Sequence, residues 1–225
     1  MKHALVLCSG GLDSVVLSYY LKERNYSITL LFFDYGQNGK ERELECVRYH
    51  ARRLKSDLKI VPLNEIGSSL IHSGRSFKPV TTRMLKNTKK ISPQWYVPCR
   101  NLIFLSHALS IAESMGANKK DSIEIFVGFG AEGEDCYPDA SRKFIKLFNE
   151  TATFLCAHKY AVLAPFIDKD KEDIIVKGVE LNVALEKTWS CYSTKKNHCG
   201  SCLACALRKQ GFYWANVSDP TIYLS

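Results

Sequence analysis

The chain has 225 residues, 46% of them hydrophobic and 24% charged, with a formal net charge of +8. That size describes one ordinary globular domain with room for a small appendage, and it excludes a chain too small to fold without staples. No apolar stretch approaches the ~20 residues of a membrane helix, and the apolar run near Met1 is too short for a signal peptide, so no membrane association and a cytoplasmic location are expected. The positive charge suits an anionic partner and a solvated basic surface equally well. Lys and Arg are scattered, and no basic stripe with interleaved aromatics points to direct nucleic-acid binding.

In chain order, residues 4–8 form an apolar run that ends at Ser9-Gly10-Gly11, the pattern of a buried strand followed by a turn. From Ser14, Val15, Val16, Tyr19 and Tyr20 recur at helical spacing. Residues 28–33 predict a second buried strand ending at Asp34-Tyr35-Gly36. Residues 41–54 predict a charged helix with one apolar stripe, Leu44, Val47, Ala51 and Leu54. Residues 58–63 are a third strand candidate. Residues 64–98, rich in Ser, Thr, Lys and Pro, break the rhythm as an excursion or lid. A long helix over 100–115, a strand over 123–129, a loop over 130–139, a helix over 142–155, a short strand over 161–166 and a charged helix over 170–181 follow. This alternation predicts an α/β fold: a parallel twisted sheet with helices on both faces and right-handed crossovers. We expect residues 1–185 to form the main domain and residues 186–225 a small metal-binding segment packed on it.

A buried strand running through Ser9-Gly10-Gly11-Leu12-Asp13-Ser14 into a helix is suited to anions. The glycines allow positive φ and close approach, and the free N–H groups and dipole of the helix start favour negative charge. Ser9 and Ser14 add hydroxyl donors. Asp13 suits a cap or a Mg²⁺ ligand. No Lys follows, so this is not the G-x-x-x-x-G-K-[ST] loop.

The sequence has nine cysteines. Cys8, Cys46, Cys99, Cys136 and Cys156 are isolated and read as small buried hydrophobes. Cys191, Cys199, Cys202 and Cys205 cluster near the end. Four thiolates satisfy a closed tetrahedral Zn²⁺ site, which would fold a tail otherwise poor in apolar residues. An iron–sulfur cluster or a redox pair remains open on ligand type. His198, beside Cys199, is a rival ligand.

The six-residue loop looks like the PP-loop of ATP pyrophosphatases, which split ATP between the α and β phosphates. With the cysteine quartet, Phe33-Asp34-Tyr35-Gly36-Gln37, Val97-Pro98-Cys99-Arg100-Asn101, Tyr137-Pro138-Asp139 and Cys199-Gly200-x-Cys202-x-x-Cys205-x-x-Arg208, the chain resembles the 7-cyano-7-deazaguanine synthase family. The resemblance implies an adenine nucleotide α-hydrolase-like fold and ATP-dependent conversion of 7-carboxy-7-deazaguanine and ammonia to the nitrile, through an acyl-adenylate and an amide. It implies that Cys8, Ser9, Gly10, Gly11, Leu12, Asp13 and Ser14 bind the ATP phosphates. Asp34 and Gln37 are then expected near adenosine or substrate, and Arg100, Asn101, Tyr137 and Asp139 near the substrate. Ser9, Asp13, Ser14 and Arg100 are the expected catalytic set. ATP, Mg²⁺ and structural Zn²⁺ at Cys191, Cys199, Cys202 and Cys205, and a homodimer, complete the implied inventory. Without the family, Asp34 is equally a turn cap, Arg100 a helix-start residue in a weak surface ion pair, and Tyr137-Pro138-Asp139 an ordinary turn.

The chain departs from the family pattern at Asn38, Gly39, Cys99, Gly130, Gly133, Asp135, Cys136, Ala140 and Ser141, all near the expected substrate. Two other readings follow. One is a relative, for instance from bacterial defence, that transfers the activated carboxylate to a different amine, such as one on a protein. The other is an inactive zinc-stapled nucleotide-binding module.

Overall fold

The computed structural model describes residues 2–63, 78–116, 123–193 and 196–224. Their strands are β1 (His3–Leu7), β2 (Ser27–Asp34), β3 (Asp57–Pro62), β4 (Ile123–Val127) and β5 (Val162–Leu163). All pair in parallel, in the order β3-β2-β1-β4-β5. The inner strands read as near-continuous apolar runs because both of their faces are covered.

Alternate side chains serve opposite faces. Ala4 and Val6 of β1, Leu30 and Phe32 of β2 and Phe126 of β4 pack with Val15 and Val16 of helix α1 (Leu12–Glu23) and Val47 and Ala51 of α2 (Lys40–Leu54). Leu5, Leu31, Phe33, Ile125 and Val127 face the other way. They meet Leu105, Ala108 and Ala112 of a long helix, Arg100–Gly116, and Phe148 and Ala152 of the helix Arg142–Leu155. Burying each of the larger aliphatic side chains contributes roughly 1.5–3 kcal/mol. Among the described residues, no helix is long and apolar enough to cross a membrane.

The excursion after β3 falls partly on residues 64–77, outside the described residues. Its described end carries a 3₁₀ turn (Thr82–Asn87), helix α3 (Thr88–Ile91) and a second 3₁₀ turn (Ser92–Trp95). The long helix Arg100–Gly116 is α4. The expected loop over 130–139 instead contains helix α5 (Ala131–Cys136) and a 3₁₀ turn, Pro138–Ala140. Gly130 and Gly133 argued for loop there, but Glu132 and Glu134 lie in the first turn, where they complement the helix dipole. The strand expected over 161–166 shrinks to Val162–Leu163, because Pro165 lacks the N–H that a longer ladder needs.

Helix α6 (Arg142–Leu155) covers the β5 edge. The Asn149 side chain donates to the Val162 carbonyl at 3.0 Å and accepts from the Val162 N–H at 2.7 Å. Helix α7 (Lys171–Glu180) starts at a capping box formed by Asp170 and Asp173. The tail holds a helix that periodicity did not reveal, α8 (Leu203–Trp214), with Cys202 at its N-cap position. Its Phe212 joins the core of the main sheet, while Cys191, Cys202 and Cys205 pack with Val80, Trp95 and Trp189 in a separate cluster.

Candidate active site

The strand order reverses between β1 and β4, and open α/β sheets bind ligands where it does so, beyond the carboxyl ends of the strands. The loop Cys8–Ser14 leaves β1 at that point. Gly10 takes φ +78°, and a Cβ there would lie 2.5 Å from the Glu43 carbonyl oxygen, so both its conformation and its packing require glycine. Ser14, buried at the helix start, accepts from the Ser9 N–H at 3.3 Å and donates to the Gly11 carbonyl at 3.3 Å. The Gly11 N–H points to the Ser9 hydroxyl at 3.4 Å. The next amides of α1 have no acceptor within the helix, and their residues Leu12, Asp13 and Ser14 line the cavity. Burial pushes the Cys8 thiol pKa up, so Cys8 is packing rather than a nucleophile.

Facing the loop is a group that sequence reasoning missed. Lys171, the first residue of α7, places its ammonium 2.7 Å and 2.8 Å from the two Asp13 carboxylate oxygens and 3.4 Å from Glu132. Burial opposes its charge, but Asp13 and Glu132 more than offset this and move its pKa upward. Burial raises the Glu132 pKa, and Lys171 opposes the rise. A cation at the first position of a helix opposes the dipole. That misfit within Lys169-Asp170-Lys171-Glu172 was the available signal, and it was hidden in what reads as a solvated charge run. Helix α8 backs the lysine: a Cβ at Gly211 would lie 2.4 Å from Lys171 Cγ.

A cavity of about 300 Å³ opens from the loop between β1 and β4. Its far side holds Arg100, which reaches the Tyr35 hydroxyl at 3.4 Å and the Asn101 side-chain oxygen at 3.4 Å. Burial works against the Arg100 charge. Tyr35 and Asp139 favour it, and the net direction is upward, so the guanidinium stays charged. Tyr35, Gln37, Asn101 and Tyr137 line the same space. Phe33 and Phe104 stack at 4.3 Å beneath it.

Two of the expected residues stand elsewhere. Asp34 pairs with Lys40 at 3.0 Å and accepts from the Gly36 N–H at 3.3 Å, and it is not part of the cavity lining. Asp139 lies behind Asn101, accepting its N–H at 3.1 Å and returning a carbonyl to its side chain at 3.1 Å. That arrangement caps α4 and fixes Arg100. Gln37 reaches the lining, but its amide is held by its neighbours: Oε1 accepts from the Tyr35 N–H, and Nε2 donates to the Phe33 carbonyl and to Glu43. The unusual Gly39 has a steric reason. A Cβ there would sit 2.7 Å from Trp189 Nε1.

The four sulfurs of Cys191, Cys199, Cys202 and Cys205 lie within 4.8 Å of one another. Ligands ~2.3 Å from one zinc ion are separated by roughly 3.8 Å, so the spacing suits a single metal ion. A cubane spreads its thiolates over the corners of a cluster and needs them farther apart. Backbone N–H groups also point at the sulfurs: Cys199 N–H at Cys191 Sγ (3.3 Å) and Cys202 N–H at Cys199 Sγ (3.2 Å). His198 is not part of this group, and its Nε2 accepts the Ser190 N–H at 3.1 Å. The segment leading into the quartet braces the Ser9–Ser14 loop, since the Trp189 N–H donates to the Gly10 carbonyl at 2.8 Å. Arg208, 1% exposed, ties the same stretch together through the Leu185 carbonyl (3.1 Å) and the hydroxyls of Thr188 (2.8 Å) and Ser190 (3.3 Å).

The family model described as queuosine biosynthesis protein QueC matches residues 3–216. The 7-cyano-7-deazaguanine synthase of Methanothrix thermoacetophila is 36% identical over 229 residues, covering 99% of both chains. That of Clostridium kluyveri is 37% identical over 232 residues, covering 99% of this chain and 98% of the relative. A solved 4-thiouridine synthetase–RNA complex with bound ATP aligns with a TM-score of 0.51 at 19% identity, over 96% of this chain and 50% of that one. A U34-tRNA thiolase from Methanococcus maripaludis with its [4Fe-4S] cluster aligns with a TM-score of 0.51 at 15% identity, over 96% of this chain and 64% of that one. These two likenesses show a shared overall fold.

Proposed function

The chain belongs to the queuosine biosynthesis protein QueC family, and from that membership we propose that it converts 7-carboxy-7-deazaguanine and ammonia to 7-cyano-7-deazaguanine at the expense of ATP. The observation that carries this reading is the phosphate loop opening into one cavity with Arg100 on its far side. A carboxylate is a poor electrophile, because its leaving group would be oxide. Attack of the carboxylate on the α phosphate expels pyrophosphate and supplies AMP as a leaving group. Ammonia then displaces AMP to give the amide. A second activation, at the amide oxygen, leads to the nitrile. The protein's task is to orient the reactants and stabilise developing charge.

The amides and hydroxyls of Ser9–Ser14 hold the pyrophosphate end of ATP, and Lys171 steadies the phosphate being transferred. Asp13 and Glu132 are the carboxylates nearest the loop that would hold Mg²⁺, in exchange for part of their contact with Lys171, and the ion would supply neutralisation of phosphate charge. Arg100 pairs with the substrate carboxylate, and Asn101 and Tyr137 line the same pocket. Asp34 and Asp139 act as positioning residues. Cys191, Cys199, Cys202 and Cys205 would hold Zn²⁺, which would serve a structural role there. Cytoplasmic location and a homodimer belong to the same reading; fractionation and light scattering check them.

The direct test incubates the protein with ATP, Mg²⁺, 7-carboxy-7-deazaguanine and ammonium, and follows products by mass spectrometry. The nitrile is expected. A product that stops at adenylate or amide would overturn the reading in favour of a different acceptor, and no ATP consumption would favour an inactive module.

A further inference from the structure

Forming the amide requires one proton to leave nitrogen after ammonia attacks. Converting the adenylated amide to a nitrile requires two. The species R–C(=NH₂⁺)–O–AMP must lose both N–H protons as the C–O bond breaks and AMP departs. A site that makes nitriles therefore needs a proton acceptor that the preceding ligation can more nearly do without.

Three carboxylates line the cavity: Asp13, Glu43 and Glu132. Asp13 and Glu132 both engage Lys171. Among the described residues, no histidine lines the cavity. Glu43, in the first turn of α2, has no cation within ion-pair distance among the described residues. Its Oε2 accepts from Gln37 Nε2 at 2.8 Å. The Gln37 amide cannot turn round without losing the Tyr35 N–H, so it locks the carboxyl in place. Oε1 has no hydrogen-bond partner among the described residues. The backbone of Glu43 lies against Gly10 of the phosphate loop. The carboxyl thus shares one cavity with the Ser9–Ser14 loop and Arg100.

We propose that Glu43 is the proton acceptor of nitrile formation: Oε1 takes the protons from the activated amide nitrogen as AMP leaves, passing each to water at the cavity mouth. This rests on the synthase reading above. The balance closes with no other reactant, because the adenylated amide yields nitrile, AMP and two protons. The groups facing Glu43 are Tyr35 and Gln37 from the end of β2, Arg100 from α4 and Cys46 on its own helix. Burial raises the Glu43 pKa to about 7, against the opposing effects of Gln37 and Arg100. That value suits a group that must both accept and release protons near neutrality.

The experiment supplies the purified enzyme with ATP and Mg²⁺ and starts separately from the acid plus ammonium and from the synthetic amide. Parent enzyme that makes no nitrile from either would overturn the synthase reading itself. With an active parent, Glu43→Gln should lower kcat from amide to nitrile by roughly 10²–10⁴-fold, leave KM for the amide within threefold, and make amide accumulate from the acid. The parent rate should rise with pH through about 7, and the variant should lose that limb. Glu43→Asp should recover part of the rate. A Glu43→Gln enzyme that binds ATP with parent affinity and still makes nitrile within threefold of the parent rate, or with the parent pH profile, would overturn the assignment.

Discussion

Lys171 and Asp13, 158 positions apart, join the first turns of two helices through two hydrogen bonds of 2.7 and 2.8 Å at the edge of the phosphate loop. The contact places a positive charge where two helix dipoles already favour anions. In the proposed function it would also keep Asp13 from repelling the phosphates of ATP.

Lys171→Met should therefore leave Asp13 and Glu132 as uncompensated anions facing the nucleotide. ATP affinity, read by calorimetric titration, should fall at least about tenfold, one charge-assisted contact's worth. Urea unfolding should show a loss of about 2–3 kcal/mol, below the range for a fully buried pair because Asp13 keeps some solvent contact. Unchanged ATP binding would remove Lys171 from the phosphate site.

Cys199→Ser should release the metal and with it the support of the phosphate loop. A structural zinc site of this kind contributes on the order of 10 kcal/mol to folding, so a chelator should lower the melting temperature sharply. Protein that is metal-free by elemental analysis yet melts like the parent would disprove a structural metal.

Two buried groups tilt stability in opposite directions with pH. Burial lowers the His50 pKa to about 4, while its ring bonds the Tyr19 hydroxyl at 2.9 Å and the Lys187 carbonyl at 3.0 Å. Between its folded value and the ordinary 6.5, the unfolded chain binds more protons, so stability rises as pH rises and is lost as pH falls toward 4. Glu43 is the reverse. With its pKa raised from 4.5 to about 7, the folded chain binds more protons in that window, and stability falls as pH climbs through it. Each contributes up to about 3 kcal/mol. In urea titrations from pH 4 to 7, His50→Gln should lose the rising component and Glu43→Gln the falling one.

Cys99 holds φ +55° immediately before α4. A side chain costs about 1–2 kcal/mol in that left-handed region, partly offset in glycine by its extra unfolded-state freedom. Cys99→Gly should raise stability by up to about 1 kcal/mol, and Cys99→Val should lower it by about as much. Thermal melting checks both. Activity retained in the glycine variant would show that this departure from the family pattern carries no chemistry.

The sheet was legible because buried parallel strands write themselves as short apolar runs: residues 4–8, 28–33 and 123–129 all mark strands at or near their true bounds. The phosphate loop and the quartet were legible because their residues are close in sequence. Lys171 and Glu43 were not, since each gains its meaning from partners on distant elements and from burial that no local pattern encodes. Helix α8 was hidden because the cysteines that begin it draw attention to metal spacing rather than period. Asp34 and Asp139 lie near the cavity, but their carboxylates serve Lys40 and Asn101 instead.

The Asn149 amide occupies the donor and the acceptor of Val162 that a sixth strand would use. The opposite edge, β3, presents Asp57, Lys59 and Pro62, residues that discourage pairing. Both ends of the sheet are thereby terminated, one by a single side chain. Asn149→Leu would leave the Val162 N–H and carbonyl without these partners and open that rung of the ladder to pairing with another chain.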